Sequence, residues 1–320
     1  MLAVHLEAGR VELRRQPVPR IPQGFARILL LAAGICSTDL ELQRGYYGFS
    51  GTPGHEFVGE VTEAPDEPAW VGKRVAGEIN LACGKCEWCK RGLGRHCPTR
   101  TVLGIVKHPG AFREFLTLPL HNLHAVPKSI PTEHAVFIEP VAAACEILDQ
   151  VHIPANTKVA VLGDGKLGLL VAQVLKAHGA KVHLYGRHRD KMKLAEPSGI
   201  TTEIAPKHFP AMAWPIVVDA TGSAEGLRTA IAMCEPRGKV IMKSTVHGLV
   251  KLDTAPAIVN EVTLVGSRCG RFEPAMRLLS QGKINVAAMI AGHFPLDRAK
   301  KAFATAATKG TLKVLLTSAS

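Results

Sequence analysis

The stretch Lys158-Val159-Ala160-Val161-Leu162-Gly163-Asp164-Gly165-Lys166-Leu167-Gly168 reads as a buried strand, a glycine turn and the first turn of a helix. Four consecutive apolar residues precede the turn, and an apolar helix pattern runs from Leu167 to His178. A Gly-x-Gly-x-x-Gly pattern alone is weak. Between a strand and a helix it predicts a dinucleotide site. The glycines permit a tight turn, close approach of backbone to a pyrophosphate and close helix–strand packing. The helix then aims its first amides, from Lys166 and Leu167 onward, at the phosphates. Working outward, Lys181–Tyr185, Ile216–Asp219 and Lys239–Met242 read as further strands, with helical patterns at Val141–Leu148 and Ala224–Cys234. Strands alternating with helices predict an α/β Rossmann domain with a doubly wound parallel sheet over 141–266.

The end of the second strand bears on the choice of dinucleotide. An acid there would hold the ribose 2′-hydroxyl of NAD. This chain has Tyr185-Gly186-Arg187-His188-Arg189 instead. Gly186 is read as making room, and Arg187 and Arg189 as gripping a 2′-phosphate. The expectation is NADP, with NAD as the alternative. Asp190 falls in the next helix.

Residues 1–140 have a different texture. Short β-like runs such as Ala26–Ala32, Glu60–Glu63 and Arg74–Ile79 are broken by Pro and Gly, which predicts a mostly β, barrel-like domain. The tail carries helical patterns at Pro274–Ser280 and Leu296–Ala306 and a last strand at Lys313–Leu316. The net charge of +12 raises the question of nucleic acid. Residues 1–140 hold 16 Lys and Arg against 14 Asp and Glu, and residues 141–320 hold 23 against 13. The excess is spread along the second half, and aromatics are only 5%, too few for a stacking platform. That favours an anionic cofactor over nucleic acid. No apolar run approaches the roughly 20 residues of a membrane span, and the first residues do not read as a signal peptide. A cytoplasmic location is expected.

Cysteines come in two settings. Cys83, Cys86, Cys89 and Cys97 lie within fifteen residues, with two-residue gaps between the first three. Four soft ligands at such spacing predict a closed tetrahedral zinc site in preference to a disulfide framework. Four thiolates leave no open position, so this zinc is structural. Cys36-Ser37-Thr38-Asp39 and Gly54-His55-Glu56 carry a thiolate and an imidazole suited to a catalytic zinc. Glu139, beside Pro140, brings a carboxylate from a third segment, and Glu56 is a fourth candidate.

Taken together, these segments resemble the zinc-dependent alcohol dehydrogenases of the medium-chain dehydrogenase/reductase superfamily, in its polyol, sugar and threonine dehydrogenase branch. The resemblance runs from Cys-x-Thr-Asp through Gly-His-Glu, the four cysteines, Glu139-Pro140 and the glycine motif to Asp219–Ser223 and Lys313-Val314-Leu315. It implies a GroES-like catalytic domain over 1–140 with a zinc lobe at about 80–100, the Rossmann domain over 141–266, and a segment 267–320 returning to the catalytic domain. It implies one catalytic zinc on Cys36 and His55 with Glu56 or Glu139, and one structural zinc. Thr38 would pass on the substrate proton and Asp39 would orient His55. Glu41 stands where many members have a relay histidine. Thr221, Arg268 and Lys313 join the cofactor residues, and Tyr46, Tyr47, Phe49 and Arg268 are candidates to approach the substrate. The implied reaction is hydride transfer between an alcohol and NADP through an alkoxide held at zinc, in a homodimer or homotetramer. The alternatives are a carbonyl reductase and, from another class, a non-enzymatic zinc protein that binds nucleic acid. The presence of Cys36, His55, Thr38 and Glu139 together argues against the last.

Overall fold

A computed structural model describes residues 1–245 and 249–318, and of Tyr47 the backbone only. The chain divides into two compact units, Met1–Glu139 with Ile290–Ser320, and Pro140–Met289.

The first unit is organised by one long strand, Phe25–Ile35. Ala26, Ile28 and Leu30 are buried while Phe25, Arg27 and Leu29 are partly exposed, the period of two that one covered sheet face demands. From Ala32 to Ile35 every residue is buried. The reason is a change of neighbour. Phe25–Leu29 pairs antiparallel with Phe115–Pro119, whereas Ala32–Ile35 pairs antiparallel with Lys313–Thr317. Glu56–Glu63 follows the strand along its other side, with register shifts at Arg27/Ile28 and Leu30/Ala32. Such irregularities bend a strand and let it serve two partners. The sheet order is Leu123–Ala125, Arg74–Gly77, Glu56–Glu63, Phe25–Ile35, Lys313–Thr317, Ile290–Pro295. The tail therefore supplies two strands of this sheet. Its helix Ala299–Ala307 sets Phe303 edge-on against Phe112, with ring centroids 5.9 Å apart. A small sheet of Asn80–Leu81, Thr101–Leu103 and Lys107–His108 carries the cysteine lobe.

In the second unit six strands run in the order Thr201–Ile204, Lys181–Gly186, Lys158–Leu162, Trp214–Asp219, Cys234–Met242, Thr263–Gly266, all parallel. Helices cover parallel sheets, so central strands are buried on both sides, which is why Val159–Leu162 is a continuous apolar run. The order reverses beside Lys158–Leu162, the place where such sheets bind ligands outside the carboxyl ends of their strands.

The return of the tail comes later than the sequence suggested. Residues 267–289 stay with the second unit, and the chain rejoins the first at Ile290, not at 267. Gly270 lies so close to the helix Ile138–Gln150 that a Cβ would stand 1.9 Å from the Ala142 carbonyl. Arg271 pairs with Asp149 at 3.2 Å, and the Asn285 amide donates to the Gln173 side chain at 2.7 Å. These are single hooks without periodicity, so no pattern in the sequence announces them. No helix among the described residues is long and apolar enough to cross a membrane.

Candidate metal centre and cofactor cradle

The metal centre is built on a buried carboxylate. Helix Ser37–Gln43 starts immediately after Cys36, and Asp39 turns back to accept the Cys36 amide at 2.8 Å. The other Asp39 oxygen accepts the Gly54 amide at 3.1 Å and stands 3.5 Å from His55 Nδ1. Asp39 is fully buried, where a carboxylate needs donors of this kind. Two segments far apart in sequence are thereby locked together, and Cys36 and His55 are brought side by side.

Cys36 Sγ, a ring nitrogen of His55 and a carboxylate oxygen of Glu56 lie within 4.8 Å of one another. Burial works against charge on His55, but Asp39 and the Cys36 thiol outweigh it and hold the imidazole well above its ordinary pKa. His55 Nδ1 is buried and faces Asp39 without hydrogen-bond geometry. A soft donor, a ring nitrogen aimed inward and a carboxylate, in a pocket that already favours positive charge, fit a zinc ion.

Glu56 has a second engagement. Lys313, 1% exposed, donates from Nζ to Glu56 Oε2. Burial would lower the lysine's pKa, but the charges of Glu56, Cys36 and Glu139 hold it above the usual value. Gly34 makes this pair possible, since a Cβ there would come 2.7 Å from Glu56 Oε2 and 3.0 Å from Lys313 Cδ. Lys313, expected among the cofactor residues, has its ammonium against Glu56 in this structure. Glu139, in the first turn of helix Ile138–Gln150, lies outside the trio but close enough for its charge to act on Lys313. Thr38 Oγ1 is 3.9 Å from Cys36 Sγ. Glu41 is turned to the surface and engaged by Arg44. Gly34 went unnoticed in the sequence because its role exists only once strand Phe25–Ile35 meets Lys313–Thr317.

In the cysteine lobe the sulfurs of Cys86 and Cys89 are 3.5 Å apart, those of Cys86 and Cys97 3.8 Å, and those of Cys83 and Cys89 3.9 Å. A zinc tetrahedron with Zn–S near 2.3 Å has sulfur–sulfur edges of about 3.8 Å, whereas a disulfide needs about 2.05 Å. The lobe has the dimensions of a closed zinc site. The Thr99 hydroxyl and nearby amides pull Cys97 down to about 6, while burial and then the neighbouring Cys86 thiol push Cys89 up to about 12. Four thiols so close cannot all ionise unless a cation joins them.

The glycine loop is shaped for a phosphate. Gly163 has φ +110° and a Cβ would lie 2.7 Å from the Ala220 carbonyl; a Cβ on Gly168 would lie 2.0 Å from the Gly163 carbonyl. Above Gly165 there is nothing within 4 Å. The loop is thus tight on the protein side and open where backbone must approach a ligand. Helix Lys166–Ala177 starts there, with Lys166 and Leu167 in its first turn. These residues fit a dinucleotide pyrophosphate. Thr221 is held by Asp219, which accepts its amide at 2.9 Å and its hydroxyl at 2.7 Å. Arg268 is exposed, and its carbonyl accepts Lys243 Nζ at 2.8 Å. At the second strand end, Arg187 and Arg189 are exposed and Asp190 projects outward, its side chain 97% accessible. Gly186 has no space for a side chain of its own. A Cβ would meet Met192 Sδ at 2.6 Å and Asp164 Cβ at 2.7 Å. The glycine is required by packing, and the space is taken by Met192 and Asp164. The Tyr47 side chain lies outside the described residues.

Two family models match the chain. The alcohol dehydrogenase GroES-like domain matches residues 23–128, and the zinc-binding dehydrogenase model matches residues 167–281. A sorbitol dehydrogenase of Halalkalibacterium halodurans is 27% identical over 97% of this chain and 96% of its own length. A zinc-binding dehydrogenase of Sinorhizobium meliloti, solved bound to NADP, superposes with a TM-score of 0.90 at 28% identity over 99% of this chain and 98% of that one. An alcohol dehydrogenase of Escherichia coli CFT073, solved with NADH, gives a TM-score of 0.92 at 25% identity over 99% of both chains. Both matched models fall on the two units whose geometry carries the metal centre and the dinucleotide cradle, and the chain belongs to the zinc-dependent alcohol dehydrogenases of the medium-chain dehydrogenase/reductase superfamily.

Proposed function

We propose that this dehydrogenase oxidises a polyol or sugar alcohol with NADP, at the centre formed by Cys36, His55 and a glutamate. The observation that carries this reading is the convergence of three ligand atoms within 4.8 Å on the scaffold of Asp39. A zinc ion held there would supply Lewis-acid polarisation of the substrate oxygen. Asp39 fixes the two ligand segments, and Thr38 takes up the alcohol proton. Glu41, which stands where many members have a relay histidine, is engaged by Arg44. Proximity supports Glu56 as third ligand, and the family resemblance supports Glu139. The polyol class is supported by the likeness to sorbitol dehydrogenase. NADP is supported by Arg187 and Arg189 in place of a strand-end acid, and by the NADP complex of the Sinorhizobium relative; the NADH complex of the Escherichia coli relative supports NAD as the alternative. The discriminating experiment is nicotinamide absorbance with a panel of polyols, sugars, primary alcohols and aldehydes, each with both cofactors. No turnover with any polyol or sugar alcohol would remove the substrate class.

Metal analysis of the purified protein is expected to give about two zinc ions per chain, falling to about one in Cys36→Ser and about one in Cys83→Ser. A single zinc in the unsubstituted chain would delete one of the two sites. Arg187→Ala with Arg189→Ala is expected to weaken NADP about 10- to 100-fold, the worth of one or two charge-assisted hydrogen bonds, and to leave NAD nearly unchanged. Equal losses for both cofactors would mean the 2′-phosphate is held elsewhere. Thr38→Val is expected to retain zinc and to slow alcohol oxidation about 100-fold, the usual scale of positioned proton transfer. Oxidation at the original rate would rule out the relay.

Self-association is supported by the second unit's sheet edge. Among the described residues, strand Thr263–Gly266 pairs on one side only, its Leu264 is 37% exposed, and Ile258 and Val259 in the preceding helix are 72% and 78% exposed. Edges of this kind are normally covered or charged. Light scattering at micromolar concentration should return at least twice the 34.3 kDa of one chain, and a monomer there would defeat the reading.

A further inference from the structure

Asp164 has no assigned part in the dinucleotide site, yet it is one of the chain's few buried acids, 7% exposed at the middle of the glycine motif. Its carboxylate reaches the residues just past the end of strand Lys181–Gly186. There a single oxygen, Oδ2, accepts the Arg187 amide at 3.0 Å and the His188 amide at 2.6 Å and stands 2.9 Å from His188 Nδ1. Burial would raise the carboxyl's pKa, but the His188 amide and ring outweigh it and hold Asp164 below the ordinary value. A backbone bond runs alongside, from the Gly163 amide to the Tyr185 carbonyl at 2.8 Å.

The arrangement transposes an acid. Dinucleotide folds that read a ribose hydroxyl carry their carboxylate on the strand-end residue. Here that residue is Gly186, and the nearest heavy atoms to any side chain placed on it belong to Met192 and to Asp164 itself. The carboxylate comes from the glycine loop and is already occupied by two backbone amides and an imidazole. A carboxylate with one oxygen so engaged is a poor acceptor for a ribose hydroxyl and repels a phosphate less than a free one would. What it does hold is the turn Gly186–Arg189, which carries two guanidiniums within three residues.

We propose that Asp164 is the residue that sets cofactor choice, by clamping the Arg187–His188 turn so that Arg187 and Arg189 are pre-organised for a 2′-phosphate, with His188 as the ring that completes the clamp. Asp164 is a positioning residue, acting through the backbone of the turn. The charges that meet at this turn are those of Asp164 from the glycine loop, His188, Arg187 and Arg189, with Asp190, Lys191 and Lys193 on the following residues. Pre-organisation of a turn saves ordering entropy on binding, so its loss weakens the ligand that uses the turn and spares the ligand that does not. The inference rests on the NADP reading above, and the experiment separates the two.

The test uses the full-length protein and two probes that occupy only the adenosine half, 2′,5′-ADP and 5′-AMP, followed by calorimetry without turnover. In the unsubstituted protein, tighter binding of 2′,5′-ADP than of 5′-AMP reports on the NADP reading alone. Asp164→Ala is expected to lower 2′,5′-ADP affinity about 10-fold or more while changing 5′-AMP affinity less than about 3-fold. Asp164→Asn retains an acceptor for the two amides and is expected to recover most of the lost affinity. His188→Asn removes the ring and should fall between them. Equal loss of both probes in Asp164→Ala would make Asp164 a structural member of the loop and overturn the inference, as would unchanged 2′,5′-ADP binding. Thermal melting of each variant keeps a folding defect from being read as a loss of selectivity.

Discussion

The buried carboxylate of Asp39 is the constraint on which the metal centre depends. It sits at zero exposure, where an unpaired charge would cost several kcal/mol. It is met by two donors, the Cys36 amide and the Gly54 amide, with the His55 ring 3.5 Å away. Satisfying it brings the start of helix Ser37–Gln43 and the segment before strand Glu56–Glu63 to one point. The ligand atoms of Cys36 and His55 come together as a consequence. The functional site is in this sense the outer shell of a buried charge that the fold had to neutralise.

The same logic operates on the other side of the trio. Glu56, 1% exposed, is neutralised by Lys313, which arrives on the tail strand Lys313–Thr317 and lies 5.6 Å from the Phe137 ring centroid. Breaking such a pair leaves an unpaired buried charge, a cost of about 3–5 kcal/mol. The tail is thus tied to the catalytic unit electrostatically as well as by strand pairing with Phe25–Ile35 and by the contact of Phe303 with Phe112. Glu56 thus stands both beside Cys36 and His55 and against the Lys313 ammonium.

The two clusters of candidate metal ligands differ in composition. In the lobe, four sulfurs at 3.5 to 3.9 Å fill the ligand sphere with like atoms and leave no place for a substrate. At Cys36 a single thiol is joined by an imidazole and a carboxylate, with the Thr38 hydroxyl beside it. The first is closed by four like donors, and the second combines three donor types with a hydroxyl at its side. The cofactor unit shows a comparable division between Gly165, open above, and Gly163 and Gly168, closed by neighbouring carbonyls.

The sequence by itself determined the signals that are local or periodic. The apolar run at Lys158–Leu162, the glycine turn and the following helix were readable because a buried parallel strand and a phosphate turn each impose a short pattern. The cysteine lobe was readable from spacing, since two-residue gaps suffice to turn thiolates onto one centre. That Cys36, His55, Thr38 and Asp39 belong near one another was readable from the combination of motifs. Only the tertiary structure decided which acid meets which cation. Lys313 reaches Glu56 across 257 residues, Asp164 reaches His188 across 24, and Gly186 is a glycine because of Asp164 and Met192. The point of return of the tail, at Ile290, rests on Gly270, Arg271 and Asn285 in the same way. A side-chain pair of that kind leaves no period and no spacing in the chain, because nothing relates its two members except the fold that joins them.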